Sequence, residues 1–413
     1  MCESNRFNAR MPEISAAPYR TGMFALVERL LNEIGPRESC TENERRLGRE
    51  LASRWQQAGF AVRTEPFTCH PKAFLGFIPF ATLLYLAAVA VYWIAPFACF
   101  LLAAASFAAL WFELLRYREL LDPLFPEARG ENVVAVLSPS EPPARRVVIS
   151  AHQDSAYEFN LWYFLRAAAI PVMVLGFGAV LVPLFGGLAK GIAGAGSESA
   201  FFNGIGFLGL ALYPIVGLNL FFHTYSVVPG AMDDLAGIAV LDGVSQALRD
   251  AGALRRTEVV LLAASSEEAG LRGAKRYAEA HAAEMRALPT SGIFVDGVYD
   301  ERHLTIVRHE LFTGARHDPG MVRLARECAG RRGRQAREHV IPLGATDATA
   351  FTLAGVPSVA LLCQDATRLV PNYHTRLDTL EHVRPESLEV MLQLVLDMLV
   401  EIDGRPAPLS SAR

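Results

Sequence analysis

The 413-residue sequence is poor in charge, and in positive charge above all. Charged side chains make up 20% of it, and 39 Lys+Arg stand against 43 Asp+Glu, a formal net charge of −4. With no basic excess to neutralise a phosphate backbone, nucleic acid is not an expected partner. Six cysteines, at 2, 40, 69, 99, 328 and 363, form no CxxC and no regular spacing, which argues against a disulfide frame and against a cysteine-rich zinc knuckle. HExxH, GxSxG and Walker A strings are also missing. The first 35 residues hold no unbroken apolar core followed by a cleavage site, so no secretory signal is expected there.

Charge vanishes entirely between positions 74 and 112. That tract is too long for one membrane span and long enough for two of about 20 residues each, with Pro96 at the break. A second apolar block, 167 to 222, is divided by a short polar loop containing Lys190, Ser197, Glu198 and Ser199. Its arms, 167 to 189 and 199 to 222, are each long enough to cross a bilayer. The competing reading is a set of very apolar core helices, but four such tracts exceed what one globular core usually buries. Two hairpins leave everything else on one side. Arg63, Lys72, Arg116, Arg118, Arg129 and Arg166 flank that side, against Lys190 alone in the opposite turns, so the bulk is expected in the cytoplasm.

The remainder alternates short β-rich runs with helical spacing. Runs such as NVVAVLS (132–138), RVVISAH (146–152), TEVVLLAAS (257–265), GIFVD (292–296) and SVALLC (358–363) are nearly continuous in Val, Ile and Leu. Helical patterns lie between several of them, near 235–250, 270–287, 319–330 and 385–403. Interleaved in this way they predict an α/β, three-layer domain with a mostly parallel sheet covered on both faces. The expected division is residues 1–73, 116–166 and 223–413 for the catalytic domain, with transmembrane helical hairpins inserted at 74–115 and 167–222.

Polar residues cluster where the strands end. RVVISAH runs into His152 and Asp154, TEVVLLAAS into Glu267 and Glu268, and GIFVD ends on Asp296. In open α/β sheets the ligand crevice lies beyond the carboxyl ends of the strands. PGAMDD adds Asp233 and Asp234 just before a helix, and NYHTRLD adds His374 and Asp378 before the last one. Each has a bland reading alone: a helix cap for the Asp-Asp pair, a solvated turn for the Glu pair. Together they would repel one another or suffer large desolvation costs unless a cation were present. Carboxylate and imidazole without thiolate suit zinc, manganese or cobalt in an open catalytic site.

The segments AHQDS, PGAMDDLAG, SSEEAGLRGAKRYA, IFVD and YHTRLDTLE, in this order, resemble the motifs of the zinc aminopeptidases of the M28 peptidase family, and GPRESCTENERRLGRELASRWQQAGF resembles their amino-terminal helices. The resemblance implies a zinc-exopeptidase-like fold, two Zn2+ ions and peptide substrates. It makes His152 a ligand of one metal and His374 of the other, Asp233 the bridge, and Glu268 and Asp296 the remaining ligands. Glu267 becomes the general base, with Asp154 behind His152. From spacing, Asp154 and Asp378 are also expected to hold the far N–H of His152 and His374.

Two departures stand out. In GATDATAF, Ala348 occupies the place where the family commonly has histidine, while Asp347 is kept. And 81 positions separate His152 from Asp233, the extra length being the second apolar block. GIGFLG (204–209) fits GxGxxG but lies inside an apolar tract, where close helix packing is the better reading. Asn219 and His223, four apart, are expected to bond each other, and the remaining histidines, His317 among them, to be surface or loop residues. The sequence thus predicts a membrane-bound metallopeptidase, with peptides, apolar or membrane-derived ones in particular, and the lipid bilayer as its partners. A glutaminyl-cyclase-like aminoacyl cyclase and a non-catalytic membrane scaffold are the alternatives.

Overall fold

The computed structural model describes residues 14–194, 199–368 and 370–405; Cys2, Ser197 and Glu198 lie outside them. The strands are β1 (Ala61–Cys69), β2 (Ala128–Leu137), β3 (Arg145–His152), β4 (Thr257–Ala264), β5 (Thr290–Val298), β6 (Leu304–Glu310), β7 (Ala315–Arg316), β8 (Arg337–Ile341) and β9 (Ser358–Cys363). They form one sheet in the order β1-β2-β4-β3-β5-β9-β6-β7, with β8 paired to β6. The centre, β4-β3-β5-β9, is parallel. Antiparallel pairs flank it on both sides.

The continuous Val/Ile/Leu runs have a physical cause in this arrangement. Val147 and Ile149 of β3 and Val259, Leu261 and Ala263 of β4 enter one core, while Val148, Val260, Leu262 and Ala264 enter the other. Because successive side chains point to opposite faces and both faces are covered, every position must be apolar. Before the sheet come α1 (Arg20–Glu33) and α2 (Glu42–Gln57). Inserted between β1 and β2 are α3 (Ala73–Val91) and α4 (Pro96–Ala109); inserted after β3 are α5 (Asn160–Leu165), α6 (Ala169–Gly178), α7 (Leu181–Ala193) and α8 (Ala200–Gly217). The others are α9 (Ala236–Ala251), α10 (Arg272–Ala280), α11 (Ala282–Ala287), α12 (Pro319–Arg331), α13 (Ala348–Leu353) and α14 (Pro385–Gly404). Helices α1, α2, α9, α12 and α14 cover one face, and α10, α11 and α13 the other.

Among the described residues, four helical tracts are long and apolar enough to cross a membrane: Ala73–Val91, Pro96–Leu115, Asn160–Ala193 and Ala200–Phe221. Only 22–39% of the apolar 18-residue stretch within each tract is buried inside the protein, so most of this apolar surface faces outwards. The third tract is broken at Arg166, whose φ is +51°. GIGFLG does pack closely: a Cβ on Gly206 would lie 2.3 Å from the Trp93 ring, and Gly209 backs onto Val89. Tyr85 and Tyr92 of α3 and its C-cap donate to the carbonyls of Gly209 and Phe202. Asn219 and His223 do not bond each other. The Asn219 amide lies against Gly176, where glycine alone leaves it room, and the His223 ring stands edge-on to Tyr225.

Candidate metal centre

Parallel register brings the strand ends together. His152, the last residue of β3, pairs with Ala264, the last of β4, and the chain beyond β4 turns through Ser266 (φ +59°) to present Glu267 and Glu268. Asp296 lies near the end of β5, the neighbour of β3 on the other side. Asp233 arrives from the PGAMDD turn, which depends on Gly230. Its φ is +67°, and a Cβ there would sit 2.7 Å from Arg37 Nη2, the Asp233 carbonyl and Ser155 Oγ. The Asp233–Asp234 peptide bond is cis. His374 comes from the loop before α14.

Asp233 lies between the two imidazoles. Its Oδ1 is 2.9 Å from His152 Nε2, and its Oδ2 is 3.2 Å from His374 Nε2. Glu268 Oε1 is 3.3 Å from the same His374 nitrogen. Such separations match the edge of a tetrahedron built from bonds of about 2.0–2.1 Å, roughly 3.3 Å, the arrangement of atoms that share a zinc ion. Atoms of His152, Asp233 and Glu268 all lie within 4.8 Å of one another and form a possible metal site. Glu268 Oε1 is buried with no hydrogen-bond donor. An orphaned buried carboxylate oxygen facing imidazole nitrogens is what a cation would satisfy, so the donor set fits zinc.

Protonation preferences show the same crowding. Burial pushes Asp296 up to about 7, with Asp233 adding to it. Glu267 is raised well above the carboxylate range, again chiefly by burial. Burial opposes the charging of His374, but Glu268 and Asp233 overcome it and hold the imidazole up at about 10. Asp233 alone is depressed, its desolvation outweighed by the two histidines.

The supports are built from several elements. Asp154 Oδ1 is 3.4 Å from His152 Nδ1, and the Asp154 carboxylate accepts from the Glu267 and Glu268 amides at 3.0 and 3.1 Å and from Ser39 Oγ at 2.6 Å. It therefore fixes the turn carrying both glutamates. Asp234 accepts from Gly237 N, the helix cap expected of it, and also from His152 N. Asp378 does not hold His374: its oxygens accept from the amides of Met232 and Asp233, and among the described residues His374 Nδ1 has no hydrogen-bond partner. The turn directs that carboxylate at the backbone of the PGAMDD segment.

Three contributors escaped the sequence reading. Arg37 is fully buried and donates to the carbonyls of Gly35, Gln153, Pro229 and Gly230, tying the AHQDS and PGAMDD segments together. Tyr117, just past the first insertion, is raised well above the usual phenol range by burial and then by the charges of Glu267, Glu310 and Glu268. Phe159, at the mouth of the second insertion, lies 4.6 Å from the His374 ring, centroid to centroid. His317, expected near the surface, is buried instead, with Nε2 on Glu310 and Nδ1 on Thr352. Glu310 also accepts from Thr346 and Thr349, on either side of Asp347. Burial pushes Asp347 up to about 8, and neither of its oxygens has a hydrogen-bond partner among the described residues.

Residues 220–399 match the sequence model of peptidase family M28. The chain carries an M28 peptidase domain. Its enzyme class is metallopeptidase. Asp233, Glu267, Glu268, Asp296 and His374 lie within the matched M28 segment, whereas His152 and Asp154 precede it, separated by the second insertion. Among solved structures the chain is similar to a zinc aminopeptidase from Bacillus subtilis, at 15% identity over 95% of either chain with a TM-score of 0.56. An aminopeptidase from Aneurinibacillus sp. strain AM-1 shares 13% identity over 97% of both chains, TM-score 0.56. A glutaminyl cyclase from Fimbriiglobus ruber shares 12% identity over 97% of this chain and 99% of that one, TM-score 0.56. These likenesses establish the fold. No curated protein matches the chain significantly.

Proposed function

We propose that the protein is a multi-pass membrane aminopeptidase that removes amino-terminal residues from peptides, with its catalytic domain in the cytoplasm. The observation that carries this reading is the Asp233 carboxylate directed with one oxygen at each of two imidazoles, beside Glu268. His152, Asp233, Glu268, Asp296 and His374 would hold two zinc ions, or manganese or cobalt, which when bound supply Lewis-acid polarisation of a carbonyl and lower the pKa of water. Glu267 is the proton acceptor that passes its proton to the leaving amine. Asp154 keeps Glu267 and Glu268 in place through their amides. The two apolar insertions, expected at 74–115 and 167–222, anchor the domain, and the 6:1 basic asymmetry supports the cytoplasmic side.

Position 167 comes fifteen residues after His152, and Asp233 comes eleven after position 222. At no more than about 3.3–3.6 Å per residue, these tethers keep the crevice rim close to the bilayer surface. Substrates are therefore short apolar or membrane-derived peptides with a free amino terminus. In nanodiscs, kcat/KM for an apolar peptide is expected to exceed that for a polar peptide of equal length; equality or the reverse removes the interfacial part of the proposal.

The glutaminyl-cyclase neighbours support a second reading on the same fold. Metal analysis under zinc saturation, with turnover of unblocked, acetylated and N-terminal-Gln peptides, separates the two. Two ions per chain, reduced by Asp233→Ala, with release of free amino acids supports the aminopeptidase. One ion, indifferent to Asp233→Ala, with a pyroglutamyl product supports the cyclase.

A further inference from the structure

Away from the metal centre, a cavity of about 580 Å3 opens between α12 and the β6–β7 ladder. Arg308, Arg316, Arg323 and Arg326 line it, against a single lining carboxylate, Glu338. Arg326 engages that carboxylate at 2.8 Å. Asp318, at the start of α12, spends its side chain on the Met321 amide. The side chains of Arg308, Arg316 and Arg323 are left exposed, with no hydrogen-bond or ion-pair partner among the described residues. The excess is felt locally: the proton affinity of His309 is lowered by what burial it has and then by Arg316 and Arg308. Three uncompensated guanidinium groups around one concavity repel each other, and their planar donor forks match the oxygens of a phosphate.

The cavity also has a defined position relative to the apolar insertions. Arg116, which follows the second apolar tract, donates to the Phe312 carbonyl at 3.0 Å, so the β6–β7 turn stands beside the end of that tract. Leu311 and Phe312 of this turn are 49% and 39% exposed, an apolar tip on a polar edge. From Leu311 back to Arg308 is three residues, about 10 Å of strand. A headgroup layer about 5–7 Å deep and an arginine side chain bridge that distance.

We propose that this cavity binds the phosphate of an anionic phospholipid headgroup, with Arg308, Arg316 and Arg323 as donors. The lipid source rests on the membrane reading above; the phosphate chemistry does not. The test uses the full-length protein in detergent, titrated separately with dihexanoyl phosphatidylglycerol, dihexanoyl phosphatidylcholine and inorganic phosphate, with binding read by calorimetry at low and high salt. The expected result is one saturable phosphatidylglycerol site that weakens with salt, with phosphatidylcholine at least about tenfold weaker. At about fivefold per arginine near a charged surface, the triple variant Arg308→Gln/Arg316→Gln/Arg323→Gln should weaken phosphatidylglycerol by well over tenfold. Arg323→Gln alone, on the exposed side of α12, should weaken it severalfold and keeps the test decisive if the triple variant fails to fold. Phosphatidylglycerol binding that ignores these arginines, or no such binding, overturns the site. Inorganic phosphate binding as tightly as phosphatidylglycerol overturns the lipid source. Peptide turnover and metal content on the same preparations read the aminopeptidase proposal independently, since lipid binding requires neither.

Discussion

The backbone N–H of Phe159 donates to the carbonyl of His374 at 2.9 Å, and the Phe159 ring meets that imidazole in a T-shaped contact. Nearby, Glu158 binds Arg376 through both carboxylate oxygens, at 2.7 Å each. The entrance to the second apolar insertion is thereby clamped to the loop that carries a proposed metal ligand.

Phe159→Ala leaves the backbone bond in place but removes the wall against which His374 is oriented. Zinc affinity, measured by competition with a chelator, should fall by about tenfold or more. An unchanged affinity would show that Tyr373, stacked on the same imidazole at 4.0 Å, is sufficient.

Glu267 and Glu268 are adjacent in sequence but are assigned separate tasks. Glu267→Gln preserves shape and removes the proton acceptor, so turnover should drop by about 10² or more with metal content near wild type. Glu268→Ala should lose metal as well. Wild-type activity in Glu267→Gln would sink the assigned base.

Arg37 is a structural keystone for two loops. Arg37→Met fills similar volume but leaves the Gln153, Pro229 and Gly230 carbonyls without their donor. At about 1–3 kcal/mol for each unsatisfied buried group, the destabilisation should reach about 3 kcal/mol or more. Chemical unfolding in mild detergent measures it, and a change below about 1 kcal/mol would mean that water replaces the guanidinium.

Glu119 ties the exit of the first insertion to α10. Burial would raise its pKa, but Arg276, Arg272 and Lys275 outweigh that and hold it at about 2, against 4.5 as the ordinary value. A depressed carboxylate contributes fully above its unfolded pKa, and the contribution fades as pH falls through its folded one. Wild type should therefore exceed Glu119→Gln in stability at neutral pH, by about 1–2 kcal/mol once partial exposure is discounted. The gap should close between about pH 4.5 and pH 2. A gap independent of pH would assign the effect to packing.

The sheet and the strand-end carboxylates were legible because each rests on a local pattern. RVVISAH reads as a doubly buried strand whatever surrounds it, and its register with TEVVLLAAS sets where His152 ends. What was not legible depends on contacts between distant segments. Arg37 sits in a loop where arginine ordinarily faces water; apart from Gly35, the carbonyls it binds lie more than 100 positions away. Tyr117 and Phe159 flank apolar tracts and look like ordinary interfacial aromatics. For Asp378, spacing alone cannot tell an imidazole from the pair of backbone amides that it binds.

Lys275 Nζ donates to the Tyr117 carbonyl at 2.6 Å, so the chain leaving the first insertion is pinned to α10, the helix that follows the Glu267–Glu268 turn, as Phe159 pins the second insertion to His374. In a bilayer whose hydrocarbon thickness differs from the length of the apolar helices, tilting absorbs the mismatch. If the apolar helices span a bilayer as proposed, such a tilt would reach the domain through α10 on one side and Phe159 on the other, and acyl-chain length would then bear on turnover.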